Sequence, residues 1–573
     1  MKPVICRHFP TKRPFLRCFL LVFFLTGTLP AQANDDAPGV QASAAIASAH
    51  PLATQAGLDI LQRGGNAFDA AIAVTATLAV VEPYSSGIGG GGFYLLHEAE
   101  KNRYSMLDAR ERAPFRAHKD MYLDEQGEVI EGASITGPLS AGIPGIPAAL
   151  VHLAENYGRL PLTQSLAPAI GHARQGFAVD AFYRRMAGFR LEDLRKDEEA
   201  SRIFLQQGEV PELGYRIVQQ DLAATLEKIA SDGFAGFYEN NAWFMAREVR
   251  KHGGIWTVRD LGSYRVVERE PEIMVYKGMK LVSATLPSSG GVVLAEILGT
   301  LAEFDLEKMQ RPQRVHVIVE AMRRAYRDRA EYMGDPDYVD VPVDDLVSEL
   351  HFKQLARSID LDEATPSASL KAAAPATGNG ADTTHFAIVD TEGNKVSATL
   401  SINYPFGSCY VPRGTGVLLN DEMDDFSARP GVPNVYGLVG SGANAIEPGK
   451  RMLSSMTPTM AETRERIAVI GTPGGSRIIS MVLLGILDFY DNKTADEIVN
   501  NGRFHHQYLP DKIFYEPGAL SEDVVDELRL MGHELQDTGS DYGNMQLVII
   551  NKKTGKLDAV SDRRGIGSAE VVE

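Results

Sequence analysis

Thr383 and Thr384 stand where a small, polar, turn-prone stretch, EATPSASLKAAAPATGNGA (363–381), gives way to the alternating segment THFAIVD (Thr384–Asp390). A threonine hydroxyl is a weak nucleophile and needs a base. If Thr383 were the first residue of a polypeptide, its own α-amine could serve, because an α-amine has a reference pKa of roughly 7.7–8.0 and is partly neutral near physiological pH. That chemistry requires a cut between Asp382 and Thr383. The Thr383 hydroxyl can make the cut itself, by attacking the Asp382 carbonyl to give an ester that water then opens. A soft loop running directly into a strand suits this, since such loops tolerate cleavage. On residue types alone a second reading stands beside it: β-branched residues favour strand starts for purely structural reasons.

The elements that must position this pair are legible on both sides of it. HPLATQAGLDILQRGG (50–65) predicts a helix with Pro51 in the first turn and Gly64–Gly65 as its stop. Asn66 can cap a second helix, AFDAAIAVTATLAVV, apolar on nearly every face and therefore destined for a core, against a sheet. SSGIGGGGFYLL then reads as a glycine loop entering a strand. It precedes a strand instead of opening a helix, so it fails the context of a dinucleotide-binding loop and points to close backbone packing. Residues 150–370 read as mostly helical, with strand-like pieces such as MKLVSATL, and carry no chemistry above structure. Beyond Thr384, KVSATLSIN, GVLLN, RIAVIG, QLVIIN and KLDAVS read as strands, IISMVLLGILDFY as a buried helix, and residues 521–531 as a further helix. Strands stacked between such helices imply a layered α/β core.

The chain has 573 residues and a net charge of -18, which argues against nucleic acid as a partner. Five basic residues, the apolar run FLLVFFLTGTL and Ala31-Gln32-Ala33 form an export signal over residues 1–33. Its loss removes five positive charges and no negative ones, leaving -23. No later run reaches the length of a membrane span. Export to the periplasm is expected; secretion, or retention by an uncleaved signal anchor, is the alternative. Cys6 and Cys18 leave with the signal, so Cys409 remains as a single thiol with no internal disulfide partner. His505–His506 is no metal site: adjacent strand residues face opposite ways, and no further ligands complete a set. No cofactor is expected.

DTTHFAIVD, LLNDEMDDFS, PGVPNVYGLVG, KRMLSSMTPT and GTPGGSRI occur in this order, preceded by HPLATQAGLDILQRGGNAFDAA, GIGGGGF and DARERAP. Together they resemble the γ-glutamyltranspeptidase family of N-terminal-nucleophile hydrolases, over nearly all of the chain after the signal. The resemblance implies a four-layer αββα sandwich, and cleavage into a large subunit (34–382) and a small one (383–573) that stay together as a heterodimer. It implies γ-glutamyl transfer from glutathione or related compounds to water, an amino acid or a dipeptide. A glutaryl-cephalosporin-type acylase or a poly-γ-glutamate-processing enzyme on the same fold is the alternative.

The resemblance also assigns roles. Thr383 is the nucleophile. Arg110, with Arg112 as its competitor, and the Ser454–Ser455 pair would receive the substrate α-carboxylate; a guanidinium fork suits a carboxylate. Asn403, Glu422 and Asp425, with Asp424 as the neighbour to discriminate, would receive the α-ammonium. Ser401, where the family usually has threonine, would orient the nucleophile; it is expected to share a strand face with Asn403. Gly474 and Gly475 would form the oxyanion hole, at the entry to an apolar helix whose N–H groups favour an anion. Residues 430–444 correspond to a lid with Tyr436 at its tip. Arg503 is read here as structural.

Overall fold

The computed structural model describes residues 43–370 and 383–573; the expected export signal over residues 1–33, Asp382 and the expected linker from residue 371 lie outside them. In chain order the core elements are β1 (Ala44–Ser48), α1 (Pro51–Gln62), α2 (Ala67–Val81), β2 (Gly91–Glu98), β3 (Arg103–Asp108), β4 (Val267–Arg269), β5 (Glu272–Tyr276), β6 (Met279–Ser283), α3 (Gly290–Ala302) and α4 (Arg311–Tyr332). After the linker come β7 (Thr384–Val389), β8 (Lys395–Ser401), β9 (Thr459–Glu462), β10 (Arg466–Gly471), α5 (Ile478–Tyr490), β11 (Gln546–Asn551), β12 (Leu557–Ser561) and β13 (Ser568–Val572).

The strands form two antiparallel sheets, one ordered β13-β1-β7-β8-β2-β3-β4 and the other β12-β11-β10-β9-β6-β5. Period-2 alternation stacks them. On β7, Phe386 and Ile388 join one core with α1 and α2, whereas Ala387 and Val389 face the other sheet with Ala45, Val282, Val469 and Val548. On β10, Ala468 and Ile470 turn outward to a third core with α3, α4 and α5. The order of layers is therefore helix, sheet, sheet, helix, as expected. Small residues at the inter-sheet positions let the two sheets approach closely.

The helix signals correspond to observed caps. The Asn66 side chain accepts from the Phe68 and Asp69 amides while the Asp69 side chain bonds back to the Asn66 N–H, and α2 is buried along its whole length. Two strand expectations fail. GVLLN is not a strand; its backbone bonds to loops, from Leu419 N to Tyr410 O and from Asn420 N to Gly89 O. β8 ends at Ser401, because Asn403 takes φ +74 and leaves the strand path. The first part of the expected linker is docked: Ala364 N donates to Met531 O, and Ser367 N to Asp511 Oδ2, both at 2.7 Å. Among the described residues no helix is long and apolar enough to cross a membrane.

Candidate active site

Thr383 precedes the first residue of a central strand. Thr384 pairs with Leu400 across the β7–β8 ladder, so continuing the register brings Thr383 opposite Ser401. On the far side of β8, Ser401 pairs with Gly91. The glycine run exists for this approach: a Cβ on Gly90 would lie 2.1 Å from the Ser401 carbonyl oxygen, and one on Gly91 2.4 Å from Glu111 Oε2. Thr384 turns to the helical side, where its hydroxyl donates to Glu82 Oε2 (2.8 Å) at the C-cap of α2.

A small cavity of about 20 Å³, room for a single water, is lined by Arg110, Thr383, Ser401, Asn403, Glu422, Asp425, Tyr436, Ser454, Ser455 and Gly475, among others. Nearly every expected site residue therefore converges on it. Arg110 is fully buried and donates to Glu422 Oε2 (2.6 Å), Asp425 Oδ2 (2.5 Å) and the carbonyls of Met452 and Leu453. Four of its five N–H groups are thus committed inside the protein, leaving one Nη1 hydrogen, and Glu111 Oε2 lies 3.7 Å from that nitrogen. Its surroundings are rich in carboxylate. Burial pushes the proton affinity of Glu422 up against the pull of Arg110, and burial raises Glu111 further. Both oxygens of Glu111 and Oε1 of Glu422 are buried without a close hydrogen-bond partner among the described residues, and besides Arg110 only the Ser401 hydroxyl acts on the Glu422 carboxyl as a donor. A buried carboxylate oxygen with no donor is expensive, and a ligand ammonium would satisfy it.

Ser401 does not share a strand face with Asn403. Its hydroxyl instead accepts from the Asn403 amide (2.7 Å), and the Asn403 side chain donates to the Asp421 carbonyl (3.1 Å). Ser401 thereby pins the turn that brings Asn403 into the cavity. Ser454 Oγ accepts from Met456 N (3.1 Å), so its own hydrogen remains to be donated. Gly474 and Gly475 lie at φ +141 and +55, in a region that favours glycine. A short 3-10 turn, Gly475–Arg477, leads from them into α5. Residues 430–444 fold over the cavity. The Tyr436 hydroxyl donates to the Asn403 carbonyl (2.7 Å), and Asn434 Nδ2 donates to Asp425 Oδ1 (3.0 Å). A Cβ on Gly475 would lie 2.6 Å from the Tyr436 ring, so lid and turn are fitted to each other.

Thr383 also lines a second, larger cavity of about 630 Å³, shared with Glu82, Phe182, Arg185, Tyr404, Gly474, Arg477, Phe514, Tyr542 and Arg564. Thr383 thus stands between a small charged pocket and a much larger one, an arrangement that fits acyl transfer, with one side for an acyl group and the other for what leaves and arrives. The sequence model of the γ-glutamyltranspeptidase family matches residues 53–572. The chain belongs to that family. It is 40% identical over 527 residues to the glutathione hydrolase proenzyme of Escherichia coli, covering 91% of this chain and 90% of the relative. Among solved structures, it resembles a cephalosporin acylase from Bacillus halodurans at a TM-score of 0.80 and 26% identity, covering 96% of this chain and 99% of that one. It resembles the γ-glutamyltranspeptidase of Helicobacter pylori at a TM-score of 0.55 and 40% identity, covering 56% of this chain and 94% of that one.

Against this family background, two residues of the site escaped sequence reasoning. Arg329, on the buried side of α4, donates from Nη2 to Ser455 Oγ (3.1 Å) and from Nε to Ser289 Oγ (2.9 Å). Residues 150–370 thus do hold a pocket-lining side chain, Ser455, in place, contrary to the expectation. A basic residue repeated on the inward face of a helix, in MRRAYRDR, was the only available signal. Glu82 is the second: burial lifts its carboxyl to about 7 against the opposing Thr384 hydrogen bond. Several competitors are resolved. Arg112 donates to the Gly449 carbonyl and does not line the cavity. Asp424 is structural, accepting from Ser134 Oγ (2.7 Å) and Val435 N (2.9 Å), and so anchors the lid. Arg503 bonds Asp562 and the Tyr542 and Val499 carbonyls, in keeping with a structural role. His505 is engaged by Ser480 and Gln507, and His506 by Asp511. Cys409 is buried, and burial pushes its thiol up to about 12.

Proposed function

We propose that this enzyme, a γ-glutamyltransferase and glutathione hydrolase, works through Thr383 after cleavage of the chain between Asp382 and Thr383. The Thr383 oxygen attacks the γ-carbonyl carbon, and the α-amine of the same residue takes the hydroxyl proton. The tetrahedral oxyanion is received by the Gly474 and Gly475 N–H groups, each such donor being worth about 3–4 kcal/mol in a transition state. The carbon–nitrogen bond then breaks, and the proton goes to the departing amine. A γ-glutamyl ester on Thr383 remains, to be opened by water or by the amine of an amino acid or dipeptide, with ping-pong kinetics. Asp425, Glu422 and Asn403 take the α-ammonium. Ser454, Ser455 and the remaining hydrogen of Arg110 take the α-carboxylate. The substrate requires residues 430–444 to move, since the pocket beneath them holds only about 20 Å³.

The observation that carries this reading is the acidic wall of the pocket that also holds Thr383 and Ser455, where Asp425 and Glu422 converge and, besides Arg110, only the Ser401 hydroxyl acts on the Glu422 carboxyl as a donor. It favours a donor with an ammonium group over a glutaryl donor, which would bring a single negative charge to an already acidic site. The same proposal makes residues 34–382 and 383–573 the large and small subunits, exported to the periplasm after loss of residues 1–33. Mass spectrometry of the purified protein should show a fragment beginning at Thr383, and Thr383→Ala should run as one uncut, inactive chain on a denaturing gel. Two bands from that variant would overturn the proposal.

A further inference from the structure

The larger cavity holds a cation with no ion-pair partner among the described residues. The Arg477 guanidinium is stacked over the Tyr542 ring at 4.5 Å and lies 5.7 Å from that of Phe514. Among the described residues no hydrogen bond or ion pair engages it. The nearest carboxylate acting on it is Glu516, and Glu516 is already saturated, bonded at both oxygens by Arg564 (2.8 and 2.7 Å) and by the amides of Tyr542 and Arg503. Arg564, which also lines the cavity, is spent on Glu516 and Asp562. Of the acidic groups on the cavity wall, Glu82 is tied to Thr384 and Asp541 is exposed to solvent. Arg185, across the cavity, is likewise stacked on Phe182 (4.4 Å) with no ion pair among the described residues.

Two aromatic faces hold the Arg477 fork in orientation and leave its N–H edge for a planar anion, the arrangement that suits bidentate carboxylate recognition. Arg477 also sits in the turn that starts at Gly474, with its amide donating to the Gly474 carbonyl (3.0 Å). Whatever it binds is therefore placed beside the oxyanion donors and on the open side of Thr383.

We propose that Arg477 anchors the free carboxylate of the acceptor amino acid or short peptide, and of the departing peptide in the first half-reaction, with Arg185 supplying a weaker second charge at the rim. This rests on the γ-glutamyl-transfer reading above. The anchored acceptor presents its amine to the γ-glutamyl ester. Its nitrogen attacks the ester carbonyl, the bond from that carbon to the Thr383 oxygen breaks, and one amine proton ends on that oxygen while the new amide leaves.

The test uses the processed enzyme with a γ-glutamyl anilide as donor, and compares glycylglycine with glycylglycinamide as acceptors. One charge-assisted contact at a half-open site predicts a KM about tenfold higher for the amide. In Arg477→Met the ratio of the two KM values should fall towards one, and in Arg477→Lys it should lie between. Anilide hydrolysis without acceptor, measured on the same preparations, normalises for any damage to the oxyanion turn. The inference is overturned if the unaltered enzyme uses acid and amide equally well, or if Arg477→Met leaves the ratio intact. Should Arg477→Met prove inert, the unaltered enzyme's own ratio and the Lys variant decide. Absence of any anilide hydrolysis by the unaltered enzyme would instead refute the γ-glutamyl reading itself, a different result from hydrolysis without discrimination.

Discussion

Asp425→Asn removes one negative charge while nearly preserving shape, and the structure says what that should do. Asp425 accepts from Arg110 Nη2 at 2.5 Å and from Asn434 Nδ2 at 3.0 Å, and it lines the pocket with Thr383. A neutral amide can accept from only one of these donors, because its nitrogen brings two donors of its own. The lost charge-assisted contact with a substrate ammonium costs about 1.5–3 kcal/mol, and the donor left unpaired at Arg110 or Asn434 adds roughly 1 kcal/mol. Together these predict a fall in kcat/KM for a γ-glutamyl anilide of about two to three orders of magnitude, carried mostly by KM. A glutaryl anilide has no ammonium, so only the smaller, structural part of the penalty applies to it, about fivefold to tenfold. The assay is anilide release from both compounds by both proteins, with processing checked on a denaturing gel. Equal losses on the two anilides would refute the assignment of Asp425 to the ammonium. A gain of glutaryl turnover with no loss of γ-glutamyl turnover would refute the reading of the whole acidic cluster.

Arg329→Met should raise the KM of the γ-glutamyl donor about tenfold, because Ser455 loses the donor that turns its hydroxyl towards the pocket; Arg329→Lys should rescue little of this if the two-point hold on Ser455 and Ser289 matters. Glu82→Gln tests the buried carboxyl at the C-cap of α2. Its folded-state proton affinity is raised from 4.5 to about 7, so the folded protein binds a proton the unfolded chain has lost, and stability falls as pH rises from about 4.5 to 7. Thermal melts at pH 5 and pH 8 should show the unaltered protein losing stability relative to Glu82→Gln by roughly 3 kcal/mol, and parallel curves would refute the shift. Shortening the lid over residues 430–444 should lower the ratio of transfer to hydrolysis with glycylglycine as acceptor, since the Tyr436 cover excludes water from the inner pocket; an unchanged ratio would show that the lid has no such role.

What could be read from the sequence followed from how local each signal is. The Asn66 cap, the apolar run of α2 and the alternation around Thr383 are written within a few residues, and the observed elements match them. GVLLN looked like a strand because it is short and apolar, but its neighbours are loops that satisfy its backbone. Asn403 was placed on β8 because side-chain period says nothing about a positive φ; an asparagine followed by Tyr404 and Pro405 was a turn signal that could have ended the strand earlier. Arg329 and Glu82 were invisible for a different reason: each enters the site through tertiary contacts, with Ser455 and Thr384, that lie 126 and 302 residues away in the chain.

The topology also explains how a cut at Thr383 can create a catalyst without releasing half of it. β1, from before the cut, lies between β13 and β7, both from after it; β8 pairs with β2, and β9 with β6. Separating the two segments would break ladders in both sheets and open the apolar layer between them. The charged pocket is divided in the same way. Arg110 and Arg329 precede the cut, whereas Glu422, Asp425 and Ser455 follow it, so the buried ion pairs hold only if the segments stay together. With loss of the expected signal Cys409 would be the single cysteine left, so the holding would fall to the strands and not to a disulfide. The interleaved strands would do it instead, and the proposed cut would leave the amine of Thr383 fixed at the edge of its strand, opposite Ser401, with the Glu82–Thr384 hydrogen bond beside it.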